Sequence, residues 1–263
     1  FNSEEIQFYT GTSYRNICVW KGGHLVDIDP PHDHLGQKIT ELLPTEKLFR
    51  DMMEKSFDIL NNHPLNVQRA AEGKNKANSL WFWGAGTKPC LTSFYEKTGK
   101  KGVMISAVDL LKGIAVGAEM KVIEVEGADG TLHTNYEGKA NAAIQAFKDG
   151  ADYVYVHVEG PDECGHRAEL ENKVLSIELI DQKILAPVYE YLKNSGEDFK
   201  IMVLPDHPTP IAIRTHSITP VPFFIYSSEH SETGVDTFNE FTAIDANNYI
   251  SKGHTLMDIL VKY

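Results

Sequence analysis

Asp162, His166, Asp206, His207 and His216 are the residues of this sequence best suited to chemistry. They fall in three short stretches of the last third: Asp162-Glu-Cys-Gly-His166, Asp206-His207 and Thr215-His216. Each borders an apolar run that reads as a strand. Tyr153-Val-Tyr-Val-His-Val158 precedes the first, Ile201-Met-Val-Leu204 precedes the second, and Val221-Pro-Phe-Phe-Ile225 follows the third. Carboxylates and imidazoles gathered at strand ends supply the oxygen and nitrogen donors that a divalent cation takes. Two aspartates and three histidines suffice for more than one ion. Asp162 and His166 stand four apart where a helix should open, so one helical face presents both. Asp206 and His207 are adjacent, and a turn at the strand end can aim both inward. Each stretch also has an ordinary reading, with Asp162 as a helix cap and Asp206 as a turn former. Their coincidence at the rim where a parallel sheet carries its active site favours a metal centre.

Other groups are less specific. Lys112, in Asp109-Leu-Leu-Lys112-Gly113, could hold a phosphate or neutralise transition-state charge; it could equally be a solvated helix lysine. Arg15 and Arg69 are candidates for a bidentate grip on phosphate or carboxylate. His157 alternates within an apolar strand and reads as a packed or supporting residue rather than a ligand. Cys164, between Asp162 and His166, should face away from the ion. Gly84-Ala-Gly86 is a glycine-rich turn but not a phosphate-cradling loop, because no Gly-Lys-Ser/Thr follows it.

The elements that must position these groups read as βα alternation. A strand is expected at Tyr14-Arg-Asn-Ile-Cys-Val-Trp20 and a helix over residues 45–60. The polar stretch Lys74-Asn-Lys-Ala-Asn78 suggests a boundary, with residues 1–76 in one domain and 77–263 in another. Beyond it, strands are expected at Leu80-Trp-Phe-Trp83 and Gly102-Val-Met-Ile-Ser106. Helices are expected over 90–97, 109–120, 138–148 and, long and amphipathic, 168–194. That order predicts an α/β fold with a mostly parallel sheet covered by helices.

Composition narrows the function classes. The 263 residues are 42% hydrophobic, enough for one large core or a core with a smaller module. A formal charge of −12 disfavours nucleic acid and anionic membranes as partners. It still permits an anionic substrate, since a metal or a local basic cluster can reverse the sign inside a cleft. Three unpatterned cysteines, Cys18, Cys90 and Cys164, suit a reducing cytoplasm. No apolar run approaches membrane-span length.

Several stretches, in order, resemble one family. They are Tyr14-Arg15, Pro30-Pro31-His32-Asp33, Asn66-Val-Gln-Arg69, Asn78-Ser-Leu-Trp-Phe-Trp-Gly-Ala-Gly86 and Ile105-Ser-Ala-Val-Asp-Leu-Leu-Lys-Gly113. Thr134-Asn-Tyr-Glu-Gly-Lys-Ala140, Val156-His-Val-Glu-Gly-Pro-Asp-Glu-Cys-Gly-His166 and Leu204-Pro-Asp-His-Pro-Thr-Pro210 continue the series. Over nearly its whole length the chain looks like a cofactor-independent (2,3-bisphosphoglycerate-independent) phosphoglycerate mutase of the archaeal type, in the alkaline phosphatase superfamily. The resemblance implies an alkaline phosphatase-like α/β core, with residues 1–76 belonging to a smaller α+β lid. It implies that Asp162, His166 and His216 bind one divalent ion and that Asp206 and His207 bind a second. Manganese is common in the family, and magnesium, cobalt and zinc use overlapping geometries. Lys112 would neutralise phosphoryl charge, and Arg15 and Arg69 would grip phosphoglycerate.

The family's reaction interconverts 3-phosphoglycerate and 2-phosphoglycerate in glycolysis and gluconeogenesis, through a phosphoserine. Its serine nucleophile and one aspartate ligand of the second ion lie ahead of the Tyr14-Arg15 motif. Ser13, Ser79 and Ser106 do not stand in that context. The expectation is therefore a piece of a longer mutase, inactive by itself and weak in its second ion. Two alternatives stay open: another metal-dependent phosphatase or phosphomutase on the same scaffold, and a non-catalytic metal-binding module.

Overall fold

Two short strands open the chain. β1 (Ile6–Thr10) and β2 (Asn16–Trp20) pair antiparallel, with Ile6 opposite Trp20 and Thr10 opposite Asn16. The computed structural model describes residues 1–11, 14–34, 36–230 and 234–262, without the side chains of 32, 33 and 262. Ser13 lies outside the described residues. The chain divides into two compact units, Phe1–Pro89 and Cys90–Tyr263. The polar break at residues 74–78 lies inside the first of them.

In that first unit, α1 (Lys47–Asn61) turns Phe49, Met52, Met53 and Ser56 inward, the spacing of one helical face. α2 (Pro64–Ala71) starts on Pro64, whose missing N–H is no loss in a first turn, and the His63 ring caps Leu65 N–H. Ile6, Ile28, Phe49 and Met52 form the core, flanked by Phe8, Cys18, Trp20, Val26, Trp81 and Phe82. The segment Leu80-Trp-Phe-Trp83, expected as a strand, is irregular rather than a strand. Side-chain anchors hold it instead: Leu80 N–H donates to Ser56 Oγ at 2.8 Å, and Trp81 Nε1 donates to the Asp29 carbonyl at 2.9 Å. Its Trp81 and Phe82 pack against the first unit's core, and the run opens no βα repeat.

The second unit carries the βα alternation. α3 (Phe94–Thr98) is capped by Ser93 and closed by Gly99 at φ 69°. It leads into β3 (Gly102–Ile105), the central strand, parallel to β4 (Lys121–Val122) on one side and β5 (Tyr153–Val156) on the other. Val103, Met104 and Ile105 are all buried, as an uninterrupted apolar run in a covered parallel strand should be. α4 (Asp109–Gly117) connects β3 to β4. α5 (Tyr136–Lys148) lays the small residues Ala140, Ala143 and Ala146 inward; Val103, Ile105, Ala143 and Ala146 form this unit's core, with Val154 and Val156 packed on it.

After β5 come α6 (Gly160–His166), α7 (Leu170–Ile180) and α8 (Ala186–Ser195), the last two joined by a π turn over Asp181–Leu185. The expected single helix over 168–194 is thus one rod with an internal irregularity. Pro187 explains it: proline has no N–H for the i−4 carbonyl and its ring crowds the preceding turn, so the chain widens there. Ala186 N–H reaches back to the Asp181 carbonyl. β6 (Lys200–Val203) and β7 (Phe224–Ser227) pair antiparallel, and among the described residues they form a sheet of their own. The strand expected at 221–225 begins only at Phe224, because Pro220 and Pro222 cannot donate to a ladder. α9 (Glu240–Asp245) and α10 (Leu256–Lys262) complete the unit. Among the described residues no helix is long and apolar enough to cross a membrane.

Candidate metal centre

Three connections of the second unit converge. The turn out of β5 runs into α6, which places Asp162 and His166 one helical turn apart. The long connection from β6 to β7 carries Asp206, His207, Thr209 and His216. It is stitched by Ile213 N–H and Arg214 N–H to the Pro210 carbonyl and by Ser217 N–H to the Pro208 carbonyl. Arg214 sits at φ 56°, a conformation that non-glycine residues seldom adopt, and turns its carbonyl to accept His166 Nδ1 at 2.9 Å.

That contact decides the chemistry of His166. A carbonyl can only accept, so Nδ1 carries the ring proton and Nε2 is left with a lone pair in the neutral ring. Nε2 lies 3.3 Å from Asp162 Oδ2 and 3.2 Å from His216 Nε2, which is itself 3.4 Å from Asp162 Oδ1. Ligand atoms of Asp162, His166 and His216 all fall within 4.8 Å of one another. A lone pair facing a carboxylate is repulsive unless a cation lies between them, and one carboxylate with two imidazoles is a donor set for a borderline divalent ion. The carbonyl behind His166 is the outer partner that such ligands ordinarily have. The residues therefore fit a divalent cation.

Asp206 and His207 stand beside this group. The His207 ring stacks on His216 with centroids 3.7 Å apart, and its Nε2 is 3.5 Å from Asp206 Oδ2. Asp206 Oδ1 accepts the His207 N–H at 3.1 Å, the local turn that aims neighbouring side chains to one side. The structure thus brings Asp162, His166 and His216 into one cluster and sets His207 against it.

Backbone packing fixes α6 against the β6–β7 connection. A Cβ on Gly165 would lie 2.5 Å from the Thr209 carbonyl oxygen, so only glycine fits there unless that connection moves. Lys173, on α7, donates to the Pro161 carbonyl at 3.0 Å and the Thr209 carbonyl at 2.9 Å, tying the two stretches together. Burial lowers its pKa, against the pull of Asp162. Cys164 is buried, outside the cluster, and burial raises its thiol pKa.

Beneath the site, His157 Nδ1 lies 3.3 Å from Ser106 Oγ, and its carbonyl accepts the ammonium of Lys139 at 3.0 Å. Burial pushes His157 below the ordinary histidine value, with Asp206 and Asp162 among the charges felt. Lys139 is 1% exposed, and burial lowers its pKa to about 8 although Asp129 and Glu159 pull it upward.

Each of the expected phosphate-handling residues has partners within its own unit. Lys112, on α4, is paired with both Glu124 carboxylate oxygens at 3.0 and 3.1 Å and with Asp109 at 3.4 Å. Burial presses its pKa down, but these two carboxylates outweigh it and leave the value raised. Arg15 and Arg69 belong to the first unit. Arg15 stacks over Tyr14, and Arg69 Nε donates to the Asn75 carbonyl at 2.8 Å.

Sequence reasoning missed Thr209, Arg214, Lys173 and Lys139 as supports of the site. Only Lys139 had a signal: it shares a helical face with Ala143 and Ala146, where a lysine is out of place unless its ammonium has a buried partner.

Residues 18–259 match the family described as the metalloenzyme superfamily. Over 268 residues the chain is 48% identical to a Methanosarcina mazei protein named 2,3-bisphosphoglycerate-independent phosphoglycerate mutase, covering 99% of this chain and 67% of that one. A Methanothrix thermoacetophila protein of the same name is 43% identical over 258 residues, covering 97% and 66%. Among solved structures, the cofactor-independent phosphoglycerate mutase of Thermoplasma acidophilum has the same fold, with a TM-score of 0.56 at 24% identity, over 99% of this chain and 66% of that one. The chain spans about two thirds of the length of these relatives.

Proposed function

Since the chain belongs to the 2,3-bisphosphoglycerate-independent phosphoglycerate mutases of the metalloenzyme superfamily, we propose that it serves the interconversion of 3-phosphoglycerate and 2-phosphoglycerate through bound divalent metal. Asp162, His166 and His216 hold one cation, and Asp206 and His207 contribute to a second. The observation that carries this reading is the convergence of Asp162, His166 and His216, whose ligand atoms lie within 4.8 Å of one another while His166 donates from Nδ1 to the Arg214 carbonyl and turns Nε2 to the cluster. Manganese is the proposed ion in a cytoplasmic setting. When bound, such an ion supplies Lewis acidity, lowering the pKa of a hydroxyl nucleophile and balancing charge on a phosphoryl group.

The chain's own residues do the rest. The Arg214 carbonyl and α6 orient the His166 ring. Lys173 and Gly165 keep the Asp206-His207 stretch against Asp162. Lys112 is assigned to phosphoryl charge, in exchange with its present carboxylate partners, and Arg15 and Arg69 are assigned to the phosphoglycerate.

Calorimetric titration with MnCl2, followed by titration of the metal-loaded protein with 3-phosphoglycerate and with a panel of other phosphomonoesters, tests the proposal. Bound manganese and tighter binding of phosphoglycerate than of the other esters are expected. A protein that takes up no divalent ion would refute the metal assignment. A metal-loaded protein that prefers another phosphomonoester would move the reading to a different phosphatase or phosphomutase of the superfamily.

A further inference from the structure

Thr209 touches both groups of proposed ligands. Its hydroxyl oxygen lies 2.5 Å from Asp162 Oδ1 and 3.3 Å from His207 Nδ1, and the residue is 4% exposed. A hydroxyl has one proton to give, and an ionised carboxylate can only accept. The Thr209 proton is therefore committed to Asp162, the nearer and charged acceptor. The same oxygen is left to accept at His207, which puts a proton on Nδ1 and, in the neutral ring, leaves the lone pair on Nε2. Packing of the main chain holds the hydroxyl in place: the Thr209 carbonyl accepts Lys173 Nζ and sits against Gly165.

We infer that Thr209 is a positioning residue for both cations, occupying Oδ1 of Asp162 and fixing the tautomer of His207 through one hydroxyl. The inference rests on the reading that Asp162 and His207 are metal ligands. It goes beyond that reading in making the two ligand sets depend on each other. Removing the hydroxyl frees an Asp162 oxygen from its donor and at the same time releases His207 to the other tautomer. A serine at this position keeps the hydroxyl; a valine keeps the shape and loses it.

Two measurements on the whole chain test this. Nitrogen NMR of the metal-free wild-type protein, labelled in histidine, is expected to show His207 protonated on Nδ1. A neutral ring protonated on Nε2 alone would overturn the inference without recourse to any variant. Calorimetric titration with MnCl2 is expected to give T209V an affinity about 10–100-fold below wild type, the usual loss for an outer-shell partner, with T209S close to wild type. Wild-type affinity in a folded T209V would also overturn it. Failure of the wild-type protein to bind Mn2+ defeats the ligand reading instead, and the tautomer still reports on Thr209 by itself.

Discussion

Replacing Gly165 with alanine sets two effects of known size against each other. In a helix interior, alanine is favoured over glycine by about 1 kcal/mol. Here, however, the new Cβ would lie 2.5 Å from the Thr209 carbonyl oxygen and 2.9 Å from both Lys173 Nζ and Thr209 Cγ2. To reach even 3.0 Å the carbonyl must retreat by about 0.5 Å, and overpacking of this kind costs about 1–3 kcal/mol. The net loss of stability is therefore about 0–2 kcal/mol, at about 2–4 °C of melting temperature per kcal/mol for a domain of this size. Metal affinity is the sharper readout. Ligand distances tolerate only about 0.2 Å of error, and the carbonyl that must move belongs to the residue bonded to Asp162 and His207. A drop of at least about tenfold in Mn2+ affinity is expected, equivalent to about 1.4 kcal/mol. Calorimetric titration with MnCl2 beside a thermal melt followed by far-ultraviolet circular dichroism separates the two effects. G165A protein that binds Mn2+ as well as wild type and melts no lower would refute the packing argument.

Asp162→Ala removes the carboxylate common to the cluster, so elemental analysis after Mn2+ loading should show metal content falling towards zero at the first site; unchanged content would exclude Asp162 as a ligand. Lys139 titrates at about 8 in the folded chain against an ordinary 10.5, so between these values the unfolded chain holds more protons and stability rises with pH. The rise should reach about 3 kcal/mol across that window and be lost again as pH falls from 10.5 to 8. The wild-type minus K139M difference in urea stability should carry it, and a difference flat with pH would contradict the burial. In the first unit, Asn66 is 5% exposed; its amide donates to the Leu60 and Ala77 carbonyls and its oxygen accepts Ala77 N–H. Asn66→Ala should cost about 3 kcal/mol, read by tryptophan fluorescence in urea, since Trp20, Trp81 and Trp83 all lie in that unit; a midpoint unchanged from wild type would show that these bonds are replaced.

The candidate ligands were legible in the sequence and the residues that support them were not, for a physical reason. Asp162 and His166 follow a local rule, the four-residue repeat of a helix face, and they sit at the end of a recognisable strand. His216 and the Asp206-His207 pair could be placed only by their joint position beside strands. Thr209 and Arg214 act through tertiary contacts: an oxygen reaching Asp162, and a carbonyl turned by a positive φ. Nothing in Pro208-Thr-Pro210 marks a threonine that touches both Asp162 and His207. The fold shows the same divide. β3, β5 and α5 were plain from apolar runs and helical spacing. Leu80-Trp-Phe-Trp83 has strand-like composition, but whether such a run finds a ladder depends on a neighbour that local text does not contain. Pro187 carried a local signal for the π turn that the expectation of one long helix over 168–194 did not use.

The contacts that assemble the candidate metal centre span great lengths of chain. Thr209 reaches Asp162 across 47 residues, Arg214 reaches His166 across 48, and His216 reaches His166 across 50. Closing such loops costs entropy before any contact repays it, so this corner forms after the helices and strands around it. Interactions absent from the folding transition state alter the rate of unfolding rather than that of folding. A cation that recognises only the finished corner therefore leaves the speed of folding alone and lengthens the lifetime of the native state. Stopped-flow unfolding with and without Mn2+ measures that lifetime, and equal rates at saturating metal would show that the corner is still intact in the transition state.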